Sequence, residues 1–73
     1  MKKYKWGILT AGKMSAKFVK ALRLLENAEL HAVAARYPDR AESFANEYGF
    51  KKYYSDYEAL ASDPEVDVIY IAS

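Results

Sequence analysis

Three observations predict an α/β fold built on an all-parallel sheet. Short apolar runs alternate with segments of helical periodicity along the whole chain, which gives the order β-α-β-α-β-α-β. That alternation calls for right-handed crossovers between parallel strands, in the spatial order 3-2-1-4. The first strand also runs through a turn of small residues directly into a helix, which aims the helix N-terminus at the carboxyl ends of the strands. At 73 residues the chain holds one small domain at most.

Each element has its own local reason. Lys5 to Ala11 is the first strand, its apolar centre suited to a strand covered on both faces. Met14, Phe18, Ala21, Leu22 and Leu25 then recur at helical spacing as one apolar stripe, with Asn27 able to close the helix. Leu30 to Ala35 is a second strand of small apolar residues. Pro38 suits a first helical position and Asp39 the first turn of a helix. Ala41, Phe44, Ala45 and Tyr48 share one face of that helix, and Gly49 terminates it. Lys52 to Tyr54 is a short strand at the sheet edge. Ser55 to Glu58 fits a capping box for a brief helix through Ala61, which Asp63-Pro64 ends. Val66 to Ala72, the most hydrophobic run, is the fourth strand.

Composition narrows the function. With 52% hydrophobic and 29% charged residues the chain is globular and not disordered. A net charge of +1 gives no reason to expect nucleic acid or an acidic membrane as partner. There is no cysteine, which excludes disulfides, thiolate metal sites and a cysteine nucleophile, and is compatible with a cytoplasmic location. The apolar run from Trp6 to Ala11 is too short for a signal core or a membrane span.

The turn carries the chemistry. Thr10, Gly12 and Ser15 occupy the three small positions of the G-x-G-x-x-G fingerprint, with only the middle glycine kept. The absent Cβ of Gly12 lets backbone approach a pyrophosphate, held by the backbone of Thr10, Ala11, Gly12, Lys13 and Met14; the same turn also serves simply to join strand to helix. Where an NAD-binding domain of Rossmann type has an acidic residue at the end of its second strand, this chain has Ala35-Arg36-Tyr37. A guanidinium there suits a 2′-phosphate, so Arg36 points to NADP over NAD, with Tyr37 placed to stack on the adenine. Arg36 pairing with Asp39 or Glu42 is the structural alternative. Ile71, Ala72 and Ser73 at the end of the fourth strand would border the nicotinamide side. His31 reads as a structural histidine, Asp63 and Glu65 as turn and surface residues, and no catalytic or metal-ligand constellation is visible.

Lys5 to Ser15, Leu30 to Arg36, Arg40 to Ala45 and Asp56 to Leu60, followed by Asp63 to Ala72, together resemble the Gfo/Idh/MocA oxidoreductases across essentially the whole chain. Within that family the segments around Thr10–Ser15 and Ala34–Arg36 are most similar to the dihydrodiol and NADP-dependent xylose dehydrogenase branch. The resemblance implies hydride transfer between a nicotinamide and a sugar, polyol or diol, in a longer and homo-oligomeric protein. Its Glu-Lys-Pro motif, its catalytic histidine and its second, sheet-rich domain would lie beyond Ser73. On this reading residues 1–73 are the N-terminal part of a dinucleotide-binding domain, inactive alone, with no catalytic residue to carry over. A stand-alone nucleotide-binding or regulatory module is the alternative.

Overall fold

The computed structural model describes residues 3–72. The elements are β1 (Tyr4–Leu9), α1 (Lys13–Leu22), β2 (Ala28–Ala34), α2 (Pro38–Tyr48), β3 (Lys52–Tyr54), α3 (Tyr57–Ala61) and β4 (Val68–Ile71). The four strands form one parallel sheet in the order β3-β2-β1-β4, as the alternation of elements predicts.

The two faces of the sheet are packed differently. On one, Ile8 of β1 and Val33 of β2 meet Val19 and Leu22 of α1, and Phe44 and Ala45 of α2. Phe18 extends this face by stacking on Tyr70 at 3.8 Å, with the Trp6 ring edge-on at 5.5 Å. On the other face Ala32, Ala34 and Leu60 form a smaller cluster under α3. A Cβ on Gly7 would lie 2.9 Å from Leu60 Cδ1 and 3.1 Å from Val66 Cγ1. Glycine is therefore what lets α3 and the segment after it sit directly on β1.

Several local expectations shift. β1 spans Tyr4–Leu9 and β4 only Val68–Ile71, although the N–H groups of Asp67 and Ala72 on either side of β4 still donate to the Lys5 and Leu9 carbonyls of β1. α1 stops at Leu22, leaving Leu24 85% and Leu25 53% exposed; Met14 is also exposed. Its buried face is Ser15, Val19 and Leu22, rotated from the expected stripe because the polar Ser15 goes inward. α2 begins at Pro38 and ends with Gly49 in the left-handed conformation (φ 85°), as expected. Asp56 rather than Ser55 caps α3, its carboxylate accepting from the Ala59 N–H at 2.7 Å.

Asp63 is buried, not a surface turn residue. At mid-sheet, Trp6 pairs with Leu30 and Gly7 with Ala32, so His31 is the extra residue of a bulge in β2. Its Nε2 lies 3.1 Å from Asp63 Oδ2, which also accepts from the Tyr54 hydroxyl at 2.8 Å. Asp63 Oδ1 accepts from the Glu65 N–H at 2.9 Å. Among the described residues His31 Nδ1 has no hydrogen-bond partner, so the ring is held through Nε2 alone. This knot joins β2, β3 and the segment leading to β4.

Two consequences are measurable. Gly7→Val forces a branched side chain against Leu60 and Val66 and should cost about 1–3 kcal/mol of stability, read from denaturant midpoints. The Glu65 N–H, the Tyr54 hydroxyl and His31 hold the Asp63 carboxyl down at about 2, against an ordinary 3.8. Its folded-state value is depressed, so its contribution is complete above pH ~4 and drains away as pH falls to about 2. Asp63→Asn should lower stability at neutral pH by about 1–3 kcal/mol and flatten this acid limb of the stability profile.

Candidate functional site

The turn after β1 opens at the carboxyl end of the sheet. Gly12 is fully extended (φ 179°, ψ −178°), and its carbonyl accepts from the Ala16 N–H at 2.9 Å to begin α1. The N–H groups of Ala11 and Gly12 have no backbone acceptor among the described residues. No side chain caps this helix and no acidic residue lies in its first turn, so the helix itself leaves its positive end uncompensated. A Cβ on Gly12 would meet nothing within 4 Å; Gly12 lines a cavity of about 320 Å³ with Ala11, Arg40 and Ser43, whose α2 side also carries Asp39 and Glu47. Free donors, a bare Cα and open space fit a pyrophosphate.

A second cavity of about 450 Å³ lies between the strand ends. Leu9, Ala35 and Ala72 give it apolar lining, with Thr10, Arg36, Asp56 and Tyr57 around them. Arg36 extends from the end of β2 with its guanidinium 5.7 Å from the Tyr37 ring centroid. Arg40, one helical turn further on, lies 5.9 Å from the same ring. Among the described residues neither arginine forms an ion pair, so the expected alternative pairing of Arg36 with Asp39 or Glu42 is not made.

The sequence-derived candidates thus fall into groups. Thr10, Ala11 and Gly12 line the two cavities, as do Arg36 and Ala72. Lys13 and Met14 are exposed in the first turn of α1, and the Tyr37 ring has the Arg36 and Arg40 guanidiniums at 5.7 and 5.9 Å from its centroid. Ile71 is 57% exposed at the end of β4, while the Ala72 N–H donates to the Leu9 carbonyl at 2.6 Å and draws that end beside β1. Ser73 lies outside the described residues. Arg40 was missed, and Ser15 was placed only as a small residue of the turn, with no role for its hydroxyl. The signal for Arg40 was its i+4 spacing from Arg36 across the start of a helix.

His31, Asp63 and Glu65 bring one ligand atom each to within 4.8 Å of one another. Their oxygens are already committed: Lys5 pairs with Glu65 at 2.9 Å, and Lys52 lies 3.6 Å from Glu65 and 3.9 Å from Asp63. The cluster is balanced without a cation. Among the described residues no helix is long and apolar enough to cross a membrane.

A 3-2-1-4 parallel sheet with an uncapped, glycine-opened helix at its carboxyl end defines a dinucleotide-binding domain of Rossmann type. Residues 4–73 match the oxidoreductase family with an NAD-binding Rossmann fold, and the chain belongs to this Gfo/Idh/MocA family. It is 45% identical over 71 residues to trans-1,2-dihydrobenzene-1,2-diol dehydrogenase of Xenopus tropicalis, covering 94% of this chain and 22% of that protein. Among solved structures, an NAD-binding oxidoreductase from Klebsiella pneumoniae superposes with a TM-score of 0.88 at 30% identity, over 97% of this chain and 21% of that one. A 3-ketoreductase from Actinomadura kijaniata, solved with TDP-benzene and NADP, superposes with a TM-score of 0.91 at 25% identity, over 99% of this chain and 23% of that one. The chain therefore spans about a fifth of the length of these relatives.

The space around Gly12 yields a clean test. The Cβ of Gly12→Val meets nothing within 4 Å and the backbone is extended, as any residue allows, so the melting temperature should stay within a degree or two of the wild type. Titration of the same variant should show loss of both NADP and NAD binding, because the new side chain fills the space a pyrophosphate needs.

Proposed function

We propose that this chain is the NADP-binding portion of an oxidoreductase that moves a hydride between the nicotinamide and a sugar, polyol or diol. The observation that carries the cofactor preference is the end of β2. It offers two guanidiniums, Arg36 and Arg40, around Tyr37, and no carboxylate at Ala35, Arg36 or Tyr37 for an unphosphorylated ribose; Asp56, which lines the same cavity as Arg36, accepts from the Ala59 N–H as the cap of α3. Exposed arginines with no ion-pair partner among the described residues keep their donors free for the dianion of a 2′-phosphate, and the planar guanidinium fork matches its geometry. Tyr37 and the apolar lining from Leu9, Ala35 and Ala72 suit the flat adenine ring.

In this reading the Ala11 and Gly12 N–H groups and the positive end of α1 hold the pyrophosphate, with Thr10, Lys13 and Met14 around the same turn. Ile71, Ala72 and Ser73 lead toward the nicotinamide. The bound cofactor supplies or accepts the hydride; the residues described here bind and orient it. The diol class of substrate is supported by the named activity of the 45%-identical relatives. Proton transfer and substrate recognition belong to parts of a longer, homo-oligomeric and cytoplasmic protein of which this is the N-terminal part. Residues 1–73 alone should show no turnover.

Arg36→Ala in the full-length protein tests the reading. Loss of a charge-assisted contact of about 1.5–3 kcal/mol should weaken NADP by roughly tenfold or more. NAD affinity should barely change. Calorimetric titration with both cofactors decides it, and an equal loss for the two would remove Arg36 from the phosphate site.

A further inference from the structure

Ser15 is buried to 1% exposure at the third fingerprint position, where it packs inward from the first turn of α1. Its hydroxyl donates to the Thr10 carbonyl. Both groups need this bond: the hydroxyl is enclosed between helix and sheet, and Thr10 lies past the last ladder pair of β1. The bond also fixes a direction. Across a planar trans peptide the C=O and the following N–H point opposite ways, so a Thr10 carbonyl held toward Ser15 turns the Ala11 N–H away from it. That N–H is one of the two in the turn without a backbone acceptor among the described residues.

We infer that Ser15 is a positioning residue for the cofactor, whose hydroxyl aims the Ala11 N–H at the pyrophosphate by anchoring the Thr10 carbonyl. The inference rests on the pyrophosphate reading of the turn given above. In a G-x-G-x-x-G turn the third glycine serves close helix–strand packing by lacking a side chain. Here a side chain is present and takes up the strand-end carbonyl instead. A freed carbonyl that swung toward the ligand would present a negative dipole to a phosphate, where the wild-type turn presents a positive one.

The test separates the hydroxyl from residue size, and the pyrophosphate from the rest of the cofactor. Ser15→Ala and Ser15→Gly, made in the full-length protein, are titrated with NADP and with adenosine 2′-monophosphate, which carries the base, ribose and 2′-phosphate but no pyrophosphate. Both variants should bind NADP about threefold to tenfold more weakly, the span one lost hydrogen bond supports. Both should bind adenosine 2′-monophosphate as the wild type does. Equal weakening of the two ligands would show general damage to the domain and overturn the inference. So would wild-type NADP affinity in either variant, which for Ser15→Gly would mean that small size alone matters. A wild-type protein that binds adenosine 2′-monophosphate as tightly as NADP would instead overturn the pyrophosphate reading itself.

Discussion

A parallel sheet has to be covered on both faces, and in this chain the second face is covered by five helical residues. So short a helix contributes only one fully buried anchor, Leu60, and must come very close to the strands to seal them. Gly7, Ala32 and Ala34 make that approach possible by presenting almost no side chain on that face. The opposite face carries the larger residues, Ile8 and Val33 against Val19, Leu22 and Phe44. The sheet is thus asymmetric: bulk under α1 and α2, smallness under α3.

The two ends of the sheet divide the work in the same way. Below α3, His31, Asp63 and Tyr54 form a buried polar knot that ties three segments together. Each donor lost from such a site leaves another buried group short of a partner, so the knot holds both geometry and stability together. The carboxyl end is left open instead. There the backbone donors of Ala11 and Gly12 are free, the first turn of α1 carries no acidic residue, and two arginines stand without ion-pair partners among the described residues. A closed, charge-balanced end supports an open end whose charges are unspent.

Family membership fits this division. Helix α1 meets the sheet through Ser15, Val19 and Leu22, so the same residues that bury the helix also fix where its N-terminus points. The site is therefore positioned by core packing and not by a flexible loop, which keeps its donors preorganised.

Much of the fold was legible in the sequence because it depends on local periodicity and chain order. The alternation of runs fixed the all-parallel sheet and the order 3-2-1-4, Pro38 and Gly49 marked the ends of α2, and Arg36 stood out because strand ends in this topology have a defined chemistry. What depends on contacts far apart in the chain was not legible. Ser15 reads in the sequence only as the third small position of the turn, but its hydroxyl finds the Thr10 carbonyl and is buried, and the inward face of α1 is Ser15, Val19 and Leu22 with Met14 and Leu25 exposed. Asp63 looked like a turn until His31 and Tyr54 closed on it from other strands. Polar burial is decided by whether a partner arrives, and only the tertiary structure brings one.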